Sequence, residues 1–122
     1  MPKVGIVIVN FKDYAKKFLS DCKNSLDNQT FPKDQIRIYL VDNASSDESR
    51  MYLEMNYENA KVLTRDDGNF SAANNVGAKQ AIEDRCEIVI ALNMDIELDK
   101  DWLKNLVYQV EKNKDGIYQS KM

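Results

Sequence analysis

The sequence predicts an α/β domain with a mostly parallel sheet and helices on both faces. Two observations carry that expectation. Short aliphatic runs recur along the chain and alternate with segments of helical periodicity, the signature of successive βαβ units. Two of those runs, residues 36–41 and 88–92, also finish in clusters of oxygen-bearing side chains, Asp42-Asn43-Ala44-Ser45-Ser46-Asp47 and Asn93-Met94-Asp95. In open parallel sheets ligands bind at the carboxyl ends of strands, so two strands ending this way point to one shared crevice.

Each element follows from its own pattern. Residues 4–9 are mainly β-branched, as in a strand covered on both faces. From residue 13 to about 28, Tyr14, Phe18, Cys22 and Leu26 recur every fourth position and give a helix one apolar face, and Phe31-Pro32 closes that segment. Ile36, Ile38, Leu40 and Val41 make the second strand, after which Ser45-x-x-Glu48 forms a capping box for a helix running to about Met55. Residues 60–63 are the third strand. A polar loop, 64–69, leads to a helix ending near Glu83, on which Ala73, Gly77 and Ala81 form a stripe of small residues that lets its backbone approach the sheet. Residues 88–92 are the fourth strand, and Trp102, Leu103, Leu106, Val107 and Val110 define an amphipathic helix. Gly116 then reads as a C-cap before a fifth strand over 117–122. Strands joined in this way are expected to use right-handed crossovers.

Composition removes several classes of function. The 122 residues, expected to form one domain over 1–122, carry 17 basic and 20 acidic side chains, a formal charge of −3. No basic block is dense enough for a nucleic-acid footprint, so nucleic acid is not an expected partner. The longest apolar run, residues 6–9, is far short of the ~20 needed to span a bilayer. The N-terminus leads directly into a strand, so no signal peptide is expected. Cys22 and Cys86 lack metal or CxxC spacing and read as free buried thiols, which points to a cytoplasmic location. There is no histidine, which excludes Ser-His and Cys-His nucleophiles, His-ligated zinc and imidazole acid-base chemistry within this chain.

What remains is chemistry based on carboxylates, amides and an oxygen-loving cation. Asp95, just past a buried strand, suits a Mg²⁺ or Mn²⁺ ion bridging to a diphosphate, with Asn93 two residues earlier on the same side. It can equally be a solvated turn residue ahead of a helix begun by Asp99 or Asp101. Asp42 can accept from a nucleobase N–H or a ribose hydroxyl, or can form an Asx-turn. Segment 66–77, rich in Asn, Gly and Ala, opens a helix whose free N–H groups can meet an anion, although Asp66 and Asp67 oppose one at its start; it can equally be a tight loop capped by Asn.

Four pieces together resemble the family 2 glycosyltransferases of the GT-A fold: Val-Gly-Ile-Val-Ile-Val-Asn-Phe at 4–11, Val-Asp-Asn-Ala-Ser-Ser-Asp at 41–47, the loop at 66–77, and Leu-Asn-Met-Asp at 92–95. The resemblance implies a GT-A, Rossmann-like sheet, and an inverting, metal-dependent transfer of sugar from a UDP- or dTDP-linked donor to a glycan or other acceptor hydroxyl, as in polysaccharide biosynthesis. It further implies that Asn10 and Phe11 line the nucleotide pocket, that Asp42 contacts the base, that Asn75 supports the donor pocket, and that Asn93-Met94-Asp95 is the DxD-type element with Asp95 as metal ligand. Phe11 replaces the more usual Tyr, Asn93 the first Asp, and Asp67 and Asn69 stand where Asn and Gly are common.

The resemblance covers only the donor-binding half. The catalytic base is expected beyond Met122, the sheet is expected to be cut off after its fifth strand, and no residue here takes that role. A nucleoside-diphosphate sugar is the expected ligand and a glycan or lipid-linked molecule the acceptor, which leaves room for peripheral membrane association of the full enzyme. Two other readings compete. A phospho-receiver domain matches in length and strand number, with Lys121 near the last strand, but offers Asn10-Phe11-Lys12 where acidic residues belong. The other is a non-catalytic nucleotide-sugar-binding module. A nicotinamide-binding fold is weaker, because Gly5 lies inside the first strand and no GxGxxG follows.

Overall fold

The first strand, β1 (Val4–Phe11), has seven consecutive buried residues, Val4 to Asn10, and so needs cover on both faces. The computed structural model, which describes residues 2–11, 14–43, 46–65, 69–113 and 117–119, shows how the chain supplies it. After β1 come α1 (Tyr14–Asp27), a 3₁₀ turn (Lys33–Gln35), β2 (Ile36–Asn43), α2 (Asp47–Asn56), β3 (Ala60–Arg65), α3 (Phe70–Glu83), β4 (Ile88–Leu92), α4 (Trp102–Asn113) and β5 (Ile117–Gln119). The strands form one sheet in the order β3-β2-β1-β4-β5 with every pairing parallel. A receiver domain has the flavodoxin-like order 2-1-3-4-5, with the third strand beside the first. Here β3 lies outside β2, so the receiver reading is excluded.

The core has two parts, one on each face. Ile6, Ile8, Leu40 and Ile90 pack beneath Ala15, Leu19, Cys22 and Leu26 of α1, Leu53 of α2, and Leu103, Val107 and Val110 of α4. Val7, Val9, Tyr39, Val41 and Val89 meet Ala73 and Ala81 of α3 on the other face. That second layer is thin because α3 lies very close to the sheet. A Cβ at Gly77 would sit 2.3 Å from Val7 Cγ1, and one at Gly5 would sit 2.8 Å from Ala81 Cβ. The small-residue stripe is thus a fitted surface, as its spacing predicts.

The crossovers are not all alike. α1 and α2 cover one face while the chain steps outward from β1 to β3, and α3 covers the other while it returns to β4, so these three share a hand. α4 lies on the face of α1 and α2 although β4 to β5 continues in the direction of β3 to β4. The last crossover therefore has the opposite hand, a departure from uniform right-handedness. Gln29 explains where α4 is held. Its Oε1 accepts from the Leu103 N–H at 2.9 Å, its Nε2 donates to the Asp99 carbonyl at 2.8 Å, and the neighbouring Thr30 N–H donates to the Lys100 carbonyl at 2.9 Å.

Several boundaries differ from expectation. The buried face of α1 is Ala15, Leu19, Cys22 and Leu26, while Tyr14 is exposed and Phe18 partly buried. The α2 cap is Ser46, whose Oγ accepts from the Ser49 N–H at 3.2 Å; Ser45 lies outside the described residues, as do 66–68, Gly116 and Lys121. Strands β2 and β3 each run two residues further than the sequence indicates. Both cysteines are free, but only Cys22 is buried, and burial pushes its thiol up to about 12; Cys86 is half-buried.

At the amino end of the sheet the C-cap of α3 is tied to β2. The Tyr39 hydroxyl donates to Asp84 Oδ2 at 2.8 Å, Gln80 Nε2 donates to Asp84 Oδ1 at 3.1 Å, and Lys61 Nζ lies 3.8 Å from Oδ2. The Tyr39 hydrogen bond, helped by Gln80, Lys61 and Lys3, holds the Asp84 carboxyl below its ordinary value against a smaller opposing loss of hydration. Burial, then the Asp84 and Cys86 contacts, raise the Tyr39 phenol.

Two predictions follow from this packing. Gly77→Ala gains about 1 kcal/mol of helix propensity but must displace Val7, a fully buried side chain, at a typical cost of about 1–3 kcal/mol. Urea denaturation is expected to show net destabilisation, partly recovered in the V7A/G77A double variant; a more stable G77A would contradict the close approach. Asp84 has a depressed folded pKa, so the stability it confers is present above the ordinary carboxyl value of about 3.9 and lost as pH falls through the folded value. The gap in urea midpoint between the wild type and Asp84→Asn should therefore be widest near neutrality and close on acidification, and a gap independent of pH would count against it.

Candidate functional site

Strand register builds the site. β1 pairs with β4 only as far as Ile8↔Leu92, whereas it pairs with β2 through Asn10↔Asp42 to Phe11↔Asn43. Beyond Leu92 the fourth strand leaves its neighbour, and a notch opens at the point where strand order reverses. That switch point between β1 and β4 is where an open α/β sheet accommodates ligands. A pocket of about 220 Å³ occupies the notch, lined by Val9 and Phe11 of β1, Tyr14 of α1, Phe70 of α3, and Leu92, Asn93, Met94 and Asp95. Three aromatic side chains, Phe11, Tyr14 and Phe70, form part of its walls. The polar groups converge on one rim, the usual arrangement for binding a small molecule.

The rim has a simple local cause. Strand geometry stops at Leu92, but the alternation of exposure continues, with Asn93 and Asp95 exposed around buried Met94. Met94 acts as an apolar anchor that keeps its two polar neighbours at the surface. The next helix starts at Asp99, as the alternative for Asp95 expects: the Asp101 N–H donates to Asp99 Oδ2 at 3.0 Å and the Trp102 N–H to the Asp99 carbonyl at 3.0 Å. Asp95 itself is an exposed turn residue at the rim of the notch.

On the other side of the end of β1 lies a buried polar group. Asn10 is fully buried, and Asp42 retains 3% of its exposure. Asn10 Nδ2 donates to Asp42 Oδ1 at 2.9 Å and to Ser49 Oγ at 3.0 Å, while Asn10 Oδ1 accepts the Ala15 N–H at 3.0 Å. One amide thus caps the first turn of α1 and holds a carboxylate and the first turn of α2. Among the described residues no cation pairs with Asp42, and its Oδ2 receives no hydrogen bond. Burying a carboxylate so sparsely is costly unless something else completes its shell.

The structure therefore sorts the sequence candidates into three positions. Phe11, Asn93 and Asp95 surround the notch; Asn10 and Asp42 form the buried pair beside it; Asn75 is exposed on α3 and is not among the residues lining the pocket. Tyr14, Phe70 and Ser49 were not singled out for this end of the sheet. Tyr14 reads from sequence as part of an apolar helix face, and Phe70 lies within the 66–77 segment, which stands out for its amides and small residues and not for its aromatic ring. Their common signal is an aromatic at the first position of a helix, 41% exposed for Tyr14 and 49% for Phe70.

At the rim the protein offers one carboxylate and one amide oxygen. Mg²⁺ characteristically takes one or two carboxylates and completes its shell with water and phosphate oxygens, so this donor set fits such an ion only together with a phosphorylated ligand. No group of three or more acidic or thiol side chains suited to a metal occurs among the described residues.

A sequence profile of glycosyl transferase family 2 matches residues 5–122. The chain belongs to that family. This family 2 chain is 27% identical over 126 residues to the poly(ribitol-phosphate) beta-N-acetylglucosaminyltransferase TarS of Staphylococcus aureus, covering 100% of this chain and 21% of TarS. It is 28% identical over 108 residues to glycosyltransferase AglE of Haloferax volcanii, covering 85% of this chain and 34% of AglE. Among solved structures, S. aureus TarS 1–349 in complex with UDP-GlcNAc matches with a TM-score of 0.75 at 26% identity, covering 92% of this chain and 32% of that one. The same fragment in complex with UDP matches with a TM-score of 0.74 at 25% identity, covering 92% and 33%. The sheet is thus the GT-A sheet the sequence leads one to expect. The chain spans only about a fifth to a third of these relatives.

Asn10→Ala strips partners from Asp42 and from the Ala15 N–H, both buried, and each loss typically costs about 1–3 kcal/mol. Urea denaturation is expected to show a loss of roughly 2–4 kcal/mol, against no more than about 0.5 kcal/mol for Asn75→Ala at an exposed position. Equal effects of the two substitutions would refute the division made here between buried and exposed candidates.

Proposed function

We propose that this chain is the donor-binding part of an inverting glycosyltransferase that uses a nucleoside-diphosphate sugar, UDP- or dTDP-linked, and transfers the sugar to a hydroxyl of a glycan or lipid-linked acceptor. The observation that carries the proposal is the notch between β1 and β4, where aromatic walls meet the Asn93 and Asp95 rim beside a sparsely partnered buried carboxylate. Family membership supports the same reading. TarS, crystallised with UDP and with UDP-GlcNAc, supports a uridine nucleotide as the first ligand to test.

In this reading Asp42 accepts an N–H from the base and Phe11 offers it an apolar ring face, while the diphosphate lies toward Asn93 and Asp95. Asp95, with Asn93, would hold Mg²⁺ or Mn²⁺. Such a cation, when bound, neutralises the charge that collects on the leaving diphosphate. The acceptor oxygen attacks the anomeric carbon from the face opposite the phosphate; the C–O bond to the diphosphate breaks, the acceptor hydroxyl loses its proton to a base, and the configuration inverts. None of this chain's residues is assigned as that base, and the acceptor surface is likewise assigned to protein outside residues 1–122.

The two carboxylates are expected to separate in titration calorimetry. Asp95→Ala should abolish the gain in UDP affinity that Mn²⁺ provides, as EDTA should in the wild type. Asp42→Ala should keep the metal dependence and lose preference among bases, because a fixed acceptor discriminates by leaving itself unpaired with the wrong partner. Binding that ignores both metal and base identity in the wild type would sink the assignment.

A further inference from the structure

We infer that Ser49, in the first turn of α2, is a positioning residue for nucleobase selection, acting on Asp42 through the Asn10 amide. This rests on the proposed nucleotide site and deepens it, since Ser49 belongs neither to the pocket lining nor to the candidate contacts.

The geometry leaves Asn10 little freedom. A carboxamide has one acceptor oxygen and two N–H groups in a plane. Its oxygen is taken by the Ala15 N–H at 3.0 Å, one hydrogen goes to Asp42 Oδ1 at 2.9 Å, and the other to Ser49 Oγ at 3.0 Å. Three anchors on three elements fix both the plane of the amide and which end faces Asp42. A reversed amide would set an oxygen against a carboxylate oxygen and an NH₂ against a backbone N–H. Ser49 is itself held in place, because its N–H donates to Ser46 Oγ at 3.2 Å. The Ser49 hydroxyl is thus the remote anchor of a relay that aims Asp42.

Removing that oxygen leaves a buried N–H without an acceptor, a penalty the amide relieves by turning away. Asp42 then loses its only partner among the described residues, and its Oδ2 is no longer held in one direction. Uracil presents an N–H at ring position 3, whereas cytosine presents a lone pair there. Selection between them requires an acceptor held still, so loosening Asp42 should affect the choice of base more than the strength of diphosphate binding.

The test compares Ser49→Ala, Ser49→Val and Ser49→Thr with the wild type. The S49V and S49T side chains have the same shape and differ in a methyl against a hydroxyl, so they remain informative if S49A fails to fold. In the ligand-free chain, the Asn10 side-chain amide hydrogens, followed by ¹⁵N NMR, should exchange slowly in the wild type and S49T and faster in S49A and S49V. Calorimetry with UDP and CDP in Mn²⁺ should show the preference for UDP falling by about ten-fold in S49A and S49V and staying within about three-fold of wild type in S49T, the scale expected for one buried hydrogen bond.

Unchanged base preference in S49A or S49V, with or without faster amide exchange, overturns the inference, as does an equal loss in S49T. If the wild type shows the slow amide pattern yet binds neither nucleotide, the nucleotide site itself is wrong and the selective role falls with it. The ligand-free exchange data separate that failure from a failure of the relay.

Discussion

Everything in this molecule is arranged around a central strand covered on both sides. From Val4 to Asn10, β1 exposes neither face, with β2 on one side and β4 on the other. Such a strand cannot present chemistry along its length, only at its end. Its carboxyl end is also where the chain reverses its direction of travel across the sheet, and there β4 departs while β2 stays paired to the end. A pocket between β1 and β4 follows from topology before any particular side chain is considered.

The side chains then divide the work. Around the notch Phe11, Tyr14, Phe70, Asn93 and Asp95 are exposed or partly exposed, over a floor of buried Val9, Leu92 and Met94. Behind it the polar groups are bound to one another, and the Asn10 amide joins α1, α2 and β2 in one contact. Packing a carboxylate beneath the surface with a single amide partner is unfavourable for folding alone. The rigid sheet absorbs that unfavourable term, consistent with a site that is built before its ligand arrives.

Much of this was legible in the sequence because hydrophobic burial has a simple period in strands. The fourth strand was readable to the residue, since an aliphatic run stops at Asn93. β2 runs two residues past its aliphatic run because Asp42 and Asn43 are polar yet buried, so polarity does not mark the end of pairing there. On α1 the spacing is right for Cys22 and Leu26 but not for Tyr14, for a related reason. Tyr14 and Phe18 are large and apolar and fall at helical spacing, but Ala15 and Leu19 face the core while Tyr14 stands at the pocket. The hand of the last crossover had no local signal, being fixed by Gln29, whose partners lie about seventy positions downstream. Of the site candidates, Asp42, Asn93 and Asp95 are legible from pattern at strand ends, and Asn10 and Phe11 from the family resemblance. Phe70 and Ser49 reach this end of the sheet through contacts between distant segments, for which the local sequence carries no signal.

The paired grip of Gln29 has an evolutionary consequence. Residues 93–98 are spliced between β4 and a hydrogen-bonded clamp at Asp99, Lys100 and Leu103, so both ends of that short span are fixed by groups outside it. Its exposed positions Asn93, Asp95 and Glu97 alternate with Met94, Ile96 and Leu98, which pack against the core, so only the exposed ones can change what the rim presents without disturbing the packing. By contrast, Gly5 and Gly77 tolerate almost no added volume. Packing thus constrains the scaffold closely and the exposed rim positions little, so a change of residue at the rim leaves the common frame in place.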